Sequence, residues 1–397
     1  MSAISSENQL ADHPAVTVLI DTYNYGHFLG RAIESVMGQT YPSSSIEILV
    51  VDDGSTDNSA EVVQRYGERV RYIRKARGGQ ASAINEGFRQ ARGDVVCLLD
   101  ADDYFYPDKV SRVVAEFQSS PAVGLVHDRF DIIDEVSQRT REISWERTWT
   151  GRKVTVSKVP SQLQSLILLG HPWNSVTSAM SVRKTVVEGS WRIPSPPIPK
   201  PATEGPAYRG RGEGGSEGTI TGGSPLSQVG RGAGGEGIRT TDGGVPLQVP
   251  EDVFVHSPDL FLSIILPFVA EVRLIESPLT AYVFHGRNVG LYRPSPLNRE
   301  IYRRQVAYVR RYVEERFGKR FVTYFGRSVY GPEPDAEWQH KSRFGVYIAD
   351  CKEIFKANVE WSIKLESQLR LAASLLLPAK LYDGVRQVRA AQRRVHL

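Results

Sequence analysis

Three carboxylates in four positions, Asp100, Asp102 and Asp103, follow directly on the apolar run 95–99 in the stretch VVCLLDADD. A run of this length reads as a buried strand, and the C-terminal ends of such strands are where open α/β sheets hold their ligands. Acidic side chains there suit a hard divalent cation, which takes oxygen ligands and is often held by one or two carboxylates plus water and substrate phosphate. A D-x-D at a strand end is then a docking point for a metal-diphosphate group. The competing reading is a turn with solvated acids, since Asp is a common turn residue.

The elements before this stretch decide what surrounds it. Residues 16–20 (VTVLI) form a β-branched run closed by the polar 21–24, and apolar residues recur at helical spacing over 28–39. A second strand, 46–51, ends in Asp52-Asp53-Gly54, and helix 58–66, strand 70–73 and helix 81–91 follow. Alternating strands and helices predict a parallel sheet covered on both faces. Right-handed crossovers put successive strand ends on one side. The polar groups at 21–24, 52–53 and 100–103 therefore converge on one edge.

Further on, the pattern predicts helix 107–117, strand 123–126, a strand over 128–135, helix 162–169 and a strand over 175–182. A helix starts at Asp259, behind Ser257-Pro258. Strands 272–275 and 279–284 follow, the latter ending at His285, and residues 296–397 read as mainly helical. Trp145, Trp149, His171 and Trp173 suit either an acceptor groove or ordinary packing.

Composition bounds the class. The 397 residues exceed the usual single domain, and a 41% hydrophobic content supplies a real core. Lys plus Arg exceed Asp plus Glu only by 49 to 45, which gives no independent case for nucleic acid. Two cysteines, Cys97 and Cys351, make no disulfide framework and fit a reducing cytoplasm. The first fourteen residues lack the basic and apolar regions of a signal peptide, and no apolar run of about 18 residues predicts a spanning helix.

Between Gly205 and Gly244 there are fifteen glycines in forty positions, with almost no large apolar side chain. Such a segment cannot bury enough surface to offset its ordering entropy. It is expected to be disordered, and with Tyr208 as its lone aromatic it is not expected to bind nucleic acid. From Trp361 onward, apolar residues including Leu369, Leu371 and Leu381 stand beside many arginines, a pattern shared by helices packed on a sheet and by helices lying on an anionic membrane.

Three motifs carry a family resemblance: VTVLIDTYNYGHFLGRAIESVMGQTYP, EILVVDDGSTDNS and ARGGQASAINEGFRQARGDVVCLLDADDYFYPDK. In this order and at these separations they resemble family 2 glycosyltransferases over residues 16–126. The helix at Asp259 followed by ESPLTAYVFHGRN resembles, more weakly, the closing half of the same catalytic domain.

The resemblance implies a GT-A fold, an α/β architecture with a Rossmann-like, mostly parallel sheet flanked by helices, here with a helical C-terminal extension. The domains would be a flexible 1–14, a GT-A domain over 15–192 and 251–292, a disordered Gly/Pro-rich insertion at 193–250, and a mainly helical 293–397. It also implies a nucleotide-diphospho-sugar donor, UDP-sugar by default, a Mg²⁺ or Mn²⁺ cofactor, and inversion at the anomeric carbon. The acceptor would be a carbohydrate or a lipid-linked molecule in polysaccharide or glycoconjugate synthesis. The location would be cytoplasmic, with peripheral contact at the inner face of the membrane through the C-terminal helices as an option.

Carried over residue by residue, Thr22, Tyr23 and Asn24 flank the nucleoside base, and Asp53 hydrogen-bonds it with Asp52 alongside. Asp100 lies near the ribose and metal, Asp102 binds the metal, and Asp259 stands where the family usually has its general base. His285, in the Y-x-x-H-G-x-N pattern, is read as a diphosphate or metal contact or as a satisfied histidine at a strand end. Asp259 also has a plainer reading, an acid favoured by the helix dipole.

Two positions depart from the family: Asp21 stands where a proline is usual, and Arg77 where Asn is frequent. A guanidinium at 77 suits phosphate oxygens. The glycine-rich insertion precedes the proposed base, so poor docking of that helix would leave a donor-binding scaffold without catalysis. A phosphorylated receiver domain shares the paired acids of ILVVDDGS, yet here a whole strand-helix unit precedes them. A nucleotidyltransferase would open with a Gly-rich phosphate loop, which 21–26 lacks.

Overall fold

The computed structural model describes residues 10, 14–137, 140–141, 160–169, 176–188, 249–251, 254, 258–285, 288, 296–319, 321–322 and 343–376. The expectations for residues 1–9, for the insertion up to residue 248, for Trp145, Trp149, His171 and Trp173, and for residues 377–397 lie outside them.

The first half is the alternating unit expected. β1 (Val16–Thr22), α1 (Gly26–Met37), β2 (Ile46–Asp52), α2 (Ser59–Gln64), β3 (Arg71–Arg74), α3 (Gln80–Gln90) and β4 (Val95–Asp100) build a parallel sheet ordered β3-β2-β1-β4. Successive side chains of a strand point to opposite faces. Leu19, Leu49, Val51, Val96 and Leu98 accordingly join the core under α3. Val18, Ile20, Val50, Cys97 and Leu99 join the core against Leu29, Ile33 and Val36 of α1.

The second half comprises β5 (Tyr104–Phe105), α4 (Lys109–Ser119), β6 (Val123–Asp134), β7 (Thr140–Arg141), α5 (Pro160–Leu168), β8 (Met180–Arg183), α6 (Lys184–Val187), α7 (Pro258–Ile265), β9 (Glu271–Phe284), α8 (Pro296–Phe317), α9 (Arg343–Lys356) and α10 (Trp361–Leu376). β8 inserts antiparallel between β4 and β6, β6 runs parallel to β9, and β5 closes the edge antiparallel to β9. The described residues thus give a nine-stranded sheet ordered β3-β2-β1-β4-β8-β6-β9-β5, with β7 on β6. The α/β architecture implied by the resemblance is borne out.

Where the sequence reads two strands, 272–275 and 279–284, the structure has the single strand β9. The break suggested by Pro278 becomes a register irregularity opposite Arg129. Proline has no N–H for the ladder, and a local bulge absorbs it. Below this point Lys109 and Asp128 form a fully buried ion pair. Thr280 Oγ1 donates to Asp128 Oδ2 at 2.7 Å, which locks β9 to β6.

Val249 is buried. The Asn85 amide holds it, donating to Val249 O at 2.8 Å and accepting from Val249 N–H at 3.0 Å. Downstream, α7 is docked by Phe261, Leu262, Ile264 and Ile265, in one core with Val309, Tyr312 and Val313 of α8. Among the described residues no helix is long and apolar enough to cross a membrane.

Candidate functional site

The polar strand ends meet at one edge because β1, β2 and β4 are in register. Asp21 pairs with Asp100, and Thr22 pairs with Asp52. Asn24 takes a left-handed φ of 58°, a conformation Asn tolerates better than most residues. Its N–H donates to Ser55 Oγ at 2.9 Å and its Oδ1 accepts from Thr56 N–H at 2.7 Å, tying the loops after β1 and β2 together.

The two acids after β2 do different work. Asp53 receives Gly78 N–H at 2.8 Å, Gly79 N–H at 2.6 Å and Lys75 Nζ at 2.9 Å, which fixes the 75–79 loop at the sheet edge. Asp52 was expected at the donor face; it is buried, with Oδ1 taken by Ser55 N–H and Oδ2 by the Tyr72 hydroxyl. Its pairing in the β-ladder directs it into the fold, where it holds the turn. Arg77 lies over the Tyr23 ring, its Cζ 4.2 Å from the centroid, a cation–π contact instead of an open reach.

Around the acidic triplet the chain makes a tight knot. Ser178 Oγ accepts Asp100 N–H at 3.0 Å and donates to Asp103 Oδ2 at 2.6 Å. Asp103 Oδ1 accepts Val283 N–H at 2.9 Å. Both oxygens of the fully buried Asp103 are thereby engaged inside the fold, and β5 and β9 are drawn up beside the turn. This brings His285, two residues beyond Val283, against Asp102, with Nε2 2.8 Å from Oδ2. The imidazole packs on Phe28 and Tyr25 at 4.7 and 5.6 Å between ring centroids.

Gln80 Nε2 donates to Asp100 Oδ1 at 2.8 Å. Burial pushes the Asp100 carboxyl well above the usual carboxylate range, and the charges of Asp21, Asp103, Asp102 and Asp259 push the same way. The Asp259 charge thus reaches Asp100 from the first turn of α7. Burial also raises Asp259 itself to about 6, against the lowering effect of its backbone hydrogen bonds. Asp21 is raised to about 7, first by burial, with Asp100 and Gln80 as hydrogen-bonding partners. Position 21, which the sequence places among the converging polar strand ends and marks for lacking a proline, is therefore part of the acidic group.

A divalent cation fits this arrangement. Ligand atoms of Asp100, Asp102 and Asp103 lie within 4.8 Å of one another. His285 Nδ1 and Asp21 Oδ1 are buried with no hydrogen-bond partner among the described residues. Crowded carboxylates beside an imidazole are relieved by positive charge and match the oxygen-rich donor sets of Mg²⁺ and Mn²⁺.

The comparison with known proteins agrees with the motifs. Residues 17–189 match the model of glycosyl transferase family 2. The matched segment holds Asp53, Asp100 and Asp102, while Asp259 and His285 lie beyond it. An uncharacterized glycosyltransferase of Nostoc sp. is 40% identical over 191 residues, which is 45% of this chain and 56% of that protein. Chondroitin synthase of Pasteurella multocida is 37% identical over 117 residues, covering 29% of this chain and 12% of the synthase. The chain spans about half the length, or less, of the curated relatives it matches. Among solved structures, S. aureus TarS 1-349 is similar with 14% identity and a TM-score of 0.47, covering 96% of this chain and 91% of that one. The mannosyltransferase PcManGT of Pyrobaculum calidifontis, in complex with GDP-Man and Mn²⁺, has 15% identity, a TM-score of 0.43 and coverage of 96% and 86%.

Proposed function

We propose that the chain is an inverting glycosyltransferase that moves a sugar from a nucleotide-diphospho-sugar to an acceptor hydroxyl. The observation that carries this reading is the Asp102–His285 contact beside Asp100 at the sheet edge that also ends in Asp53, with the charge of Asp259 reaching Asp100 from α7.

In this reading the base of the donor lies over Tyr23 and Asn24, with Asp53 and the 75–79 loop at its edge. Asp100, Asp102 and His285 would hold Mg²⁺ or Mn²⁺, which when bound offsets the charge of the diphosphate. Asp259, ionised above about pH 6, takes the proton of the acceptor hydroxyl. The hydroxyl oxygen forms its bond to the anomeric carbon as the bond to the diphosphate oxygen breaks. The nucleoside diphosphate leaves with that electron pair, and a single displacement inverts the centre. Arg77, stacked on Tyr23, shapes the base end of the site.

UDP-sugar is the default donor and a carbohydrate or lipid-linked molecule the acceptor. A role in polysaccharide or glycoconjugate synthesis agrees with the partial likeness to a chondroitin synthase. The test is a panel of UDP- and GDP-sugars with Mg²⁺ and Mn²⁺, run on the full chain and on a deletion of residues 200–248. Metal-dependent release of nucleoside diphosphate by both proteins is expected. Tight donor binding without turnover on any sugar would instead make the protein a binding scaffold.

A further inference from the structure

α9 and α10 form a hairpin with two unlike faces. One face is packed: Val346, Asp350 and Ile354 of α9 and Ser367, Leu371 and Ser374 of α10 are buried, with Leu169 and Val322 in the same cluster. The opposite face is apolar and open. On α10 it carries Trp361, Leu365, Leu369 and Leu376, at steps of four, four and seven that keep one side of a helix. On α9, Phe344, Ile348 and Phe355 repeat the pattern. Trp361 is 71% exposed and Leu376 75%, although a folded monomer gains nothing from aligned apolar side chains in water.

The two stripes join at the hairpin's tip, where the Phe355 and Trp361 rings lie 6.1 Å apart. Lys364 Nζ sits 5.6 Å from the Trp361 ring and donates to Phe355 O at 2.8 Å, and the exposed Lys356 lies 3.4 Å from Glu353. The sequence that follows α10, residues 377–397, holds Lys380, Arg386, Arg389, Arg393 and Arg394 against the single acid Asp383. The glycine-rich insertion has almost no large apolar side chain with which to cover such a stripe.

We infer that the open face of the α9–α10 hairpin rests on an anionic lipid bilayer. Phe355, Trp361, Leu365 and Leu369 enter the headgroup boundary, and the basic residues after α10 meet the acidic lipids. Aromatic and leucine side chains along one face, with basic residues around them, are what interfacial helices present to lipid. A second copy of the chain would bring two such basic segments together, so the charge balance favours lipid. Bound in this way, the protein would take a lipid-linked acceptor from the surface on which it sits.

The experiment is flotation of the full chain, without donor, on vesicles of phosphatidylcholine with and without phosphatidylglycerol. Binding to the anionic vesicles is expected, weaker at high salt. The triple variant Trp361→Glu, Leu365→Glu and Leu369→Glu should lose more than about tenfold in binding, because charge at the hydrocarbon boundary is unfavourable. It should keep the wild-type melting temperature and metal-dependent donor hydrolysis, since these side chains lie on the solvent face. Replacing Arg386, Arg389, Arg393 and Arg394 by Gln should weaken the preference for anionic lipid. Absence of wild-type binding overturns the proposal, as does unchanged binding by the triple variant. A wild-type dimer in sedimentation that the triple variant converts to monomer overturns it as well, by assigning the face to a second copy. The flotation, melting and sedimentation readouts are independent of whether sugar is transferred.

Discussion

His285 Nε2 lies 2.8 Å from Asp102 Oδ2, joining the end of β9 to the turn after β4 across 183 positions of sequence. The contact follows from Asp103, whose hydrogen bond to Val283 N–H sets β9 at this height. The proposed cation site is therefore built from both halves of the sheet.

Replacing His285 by Ala should weaken Mn²⁺ binding about 10–100-fold, the usual cost of losing a group that orients or supplements a metal ligand. Calorimetric titration of Mn²⁺ into the donor-free protein checks this. An unchanged affinity would return His285 to the role of a packed histidine at a strand end.

The Asp259 carboxyl is raised to about 6 by burial. A base must be ionised, so turnover should be lost as pH falls through about 6 and reach its plateau above it. Asp259→Asn should lower kcat by about 10²–10⁴-fold and abolish that acidic limb. A pH–rate profile with a competent donor reads both.

Asp21, raised to about 7, holds its proton in the folded protein at pH values where the unfolded chain has lost it. Folding is then progressively disfavoured as pH rises from about 4 through about 7. Asp21→Asn should therefore stabilise the metal-free protein at pH 8, by on the order of 1–3 kcal/mol, and have little effect near pH 4. Thermal denaturation across this range decides it.

Ser178→Ala removes the acceptor of Asp100 N–H and a donor to Asp103. Leaving these buried groups unpaired should cost about 1–3 kcal/mol and weaken Mn²⁺ binding, while Ser178→Thr, which keeps the hydroxyl, should retain more of both. Denaturant unfolding and metal titration of the two variants give the comparison.

The parallel half of the sheet was legible because each strand is an unbroken apolar run ending in polar residues, and each helix shows its buried stripe in the spacing. The second half was harder. β5 has two residues, too few for any periodic signal, and its pairing with Ala281 and Thr280 depends on contacts far along the chain. Pro278 made one strand read as two. Within the site, the sequence located the acidic triplet but not the division of labour inside it: Asp103 turns inward to Ser178 and Val283, and the serine sits in SVTSAMSV with nothing local to mark it. The position of Asp21 beside Asp100 was within reach, because both strands end at the same polar boundary. The sequence reads Arg77 as a guanidinium suited to phosphate oxygens, and only the structure shows Tyr23 beneath it. Ahead of α7, Val249 is held by the Asn85 amide, a pair no spacing rule connects.

The central claim is that the Asp102 group holds the donor while Asp259 performs the proton transfer. Nucleoside diphosphate release and donor binding, measured side by side on the wild type, Asp102→Ala and Asp259→Asn, test it most directly. The account predicts that Asp102→Ala loses metal-dependent donor binding together with turnover, and that Asp259→Asn binds donor with wild-type affinity while turnover collapses. Undiminished turnover by Asp259→Asn, or metal-dependent donor binding that survives in Asp102→Ala, would contradict it.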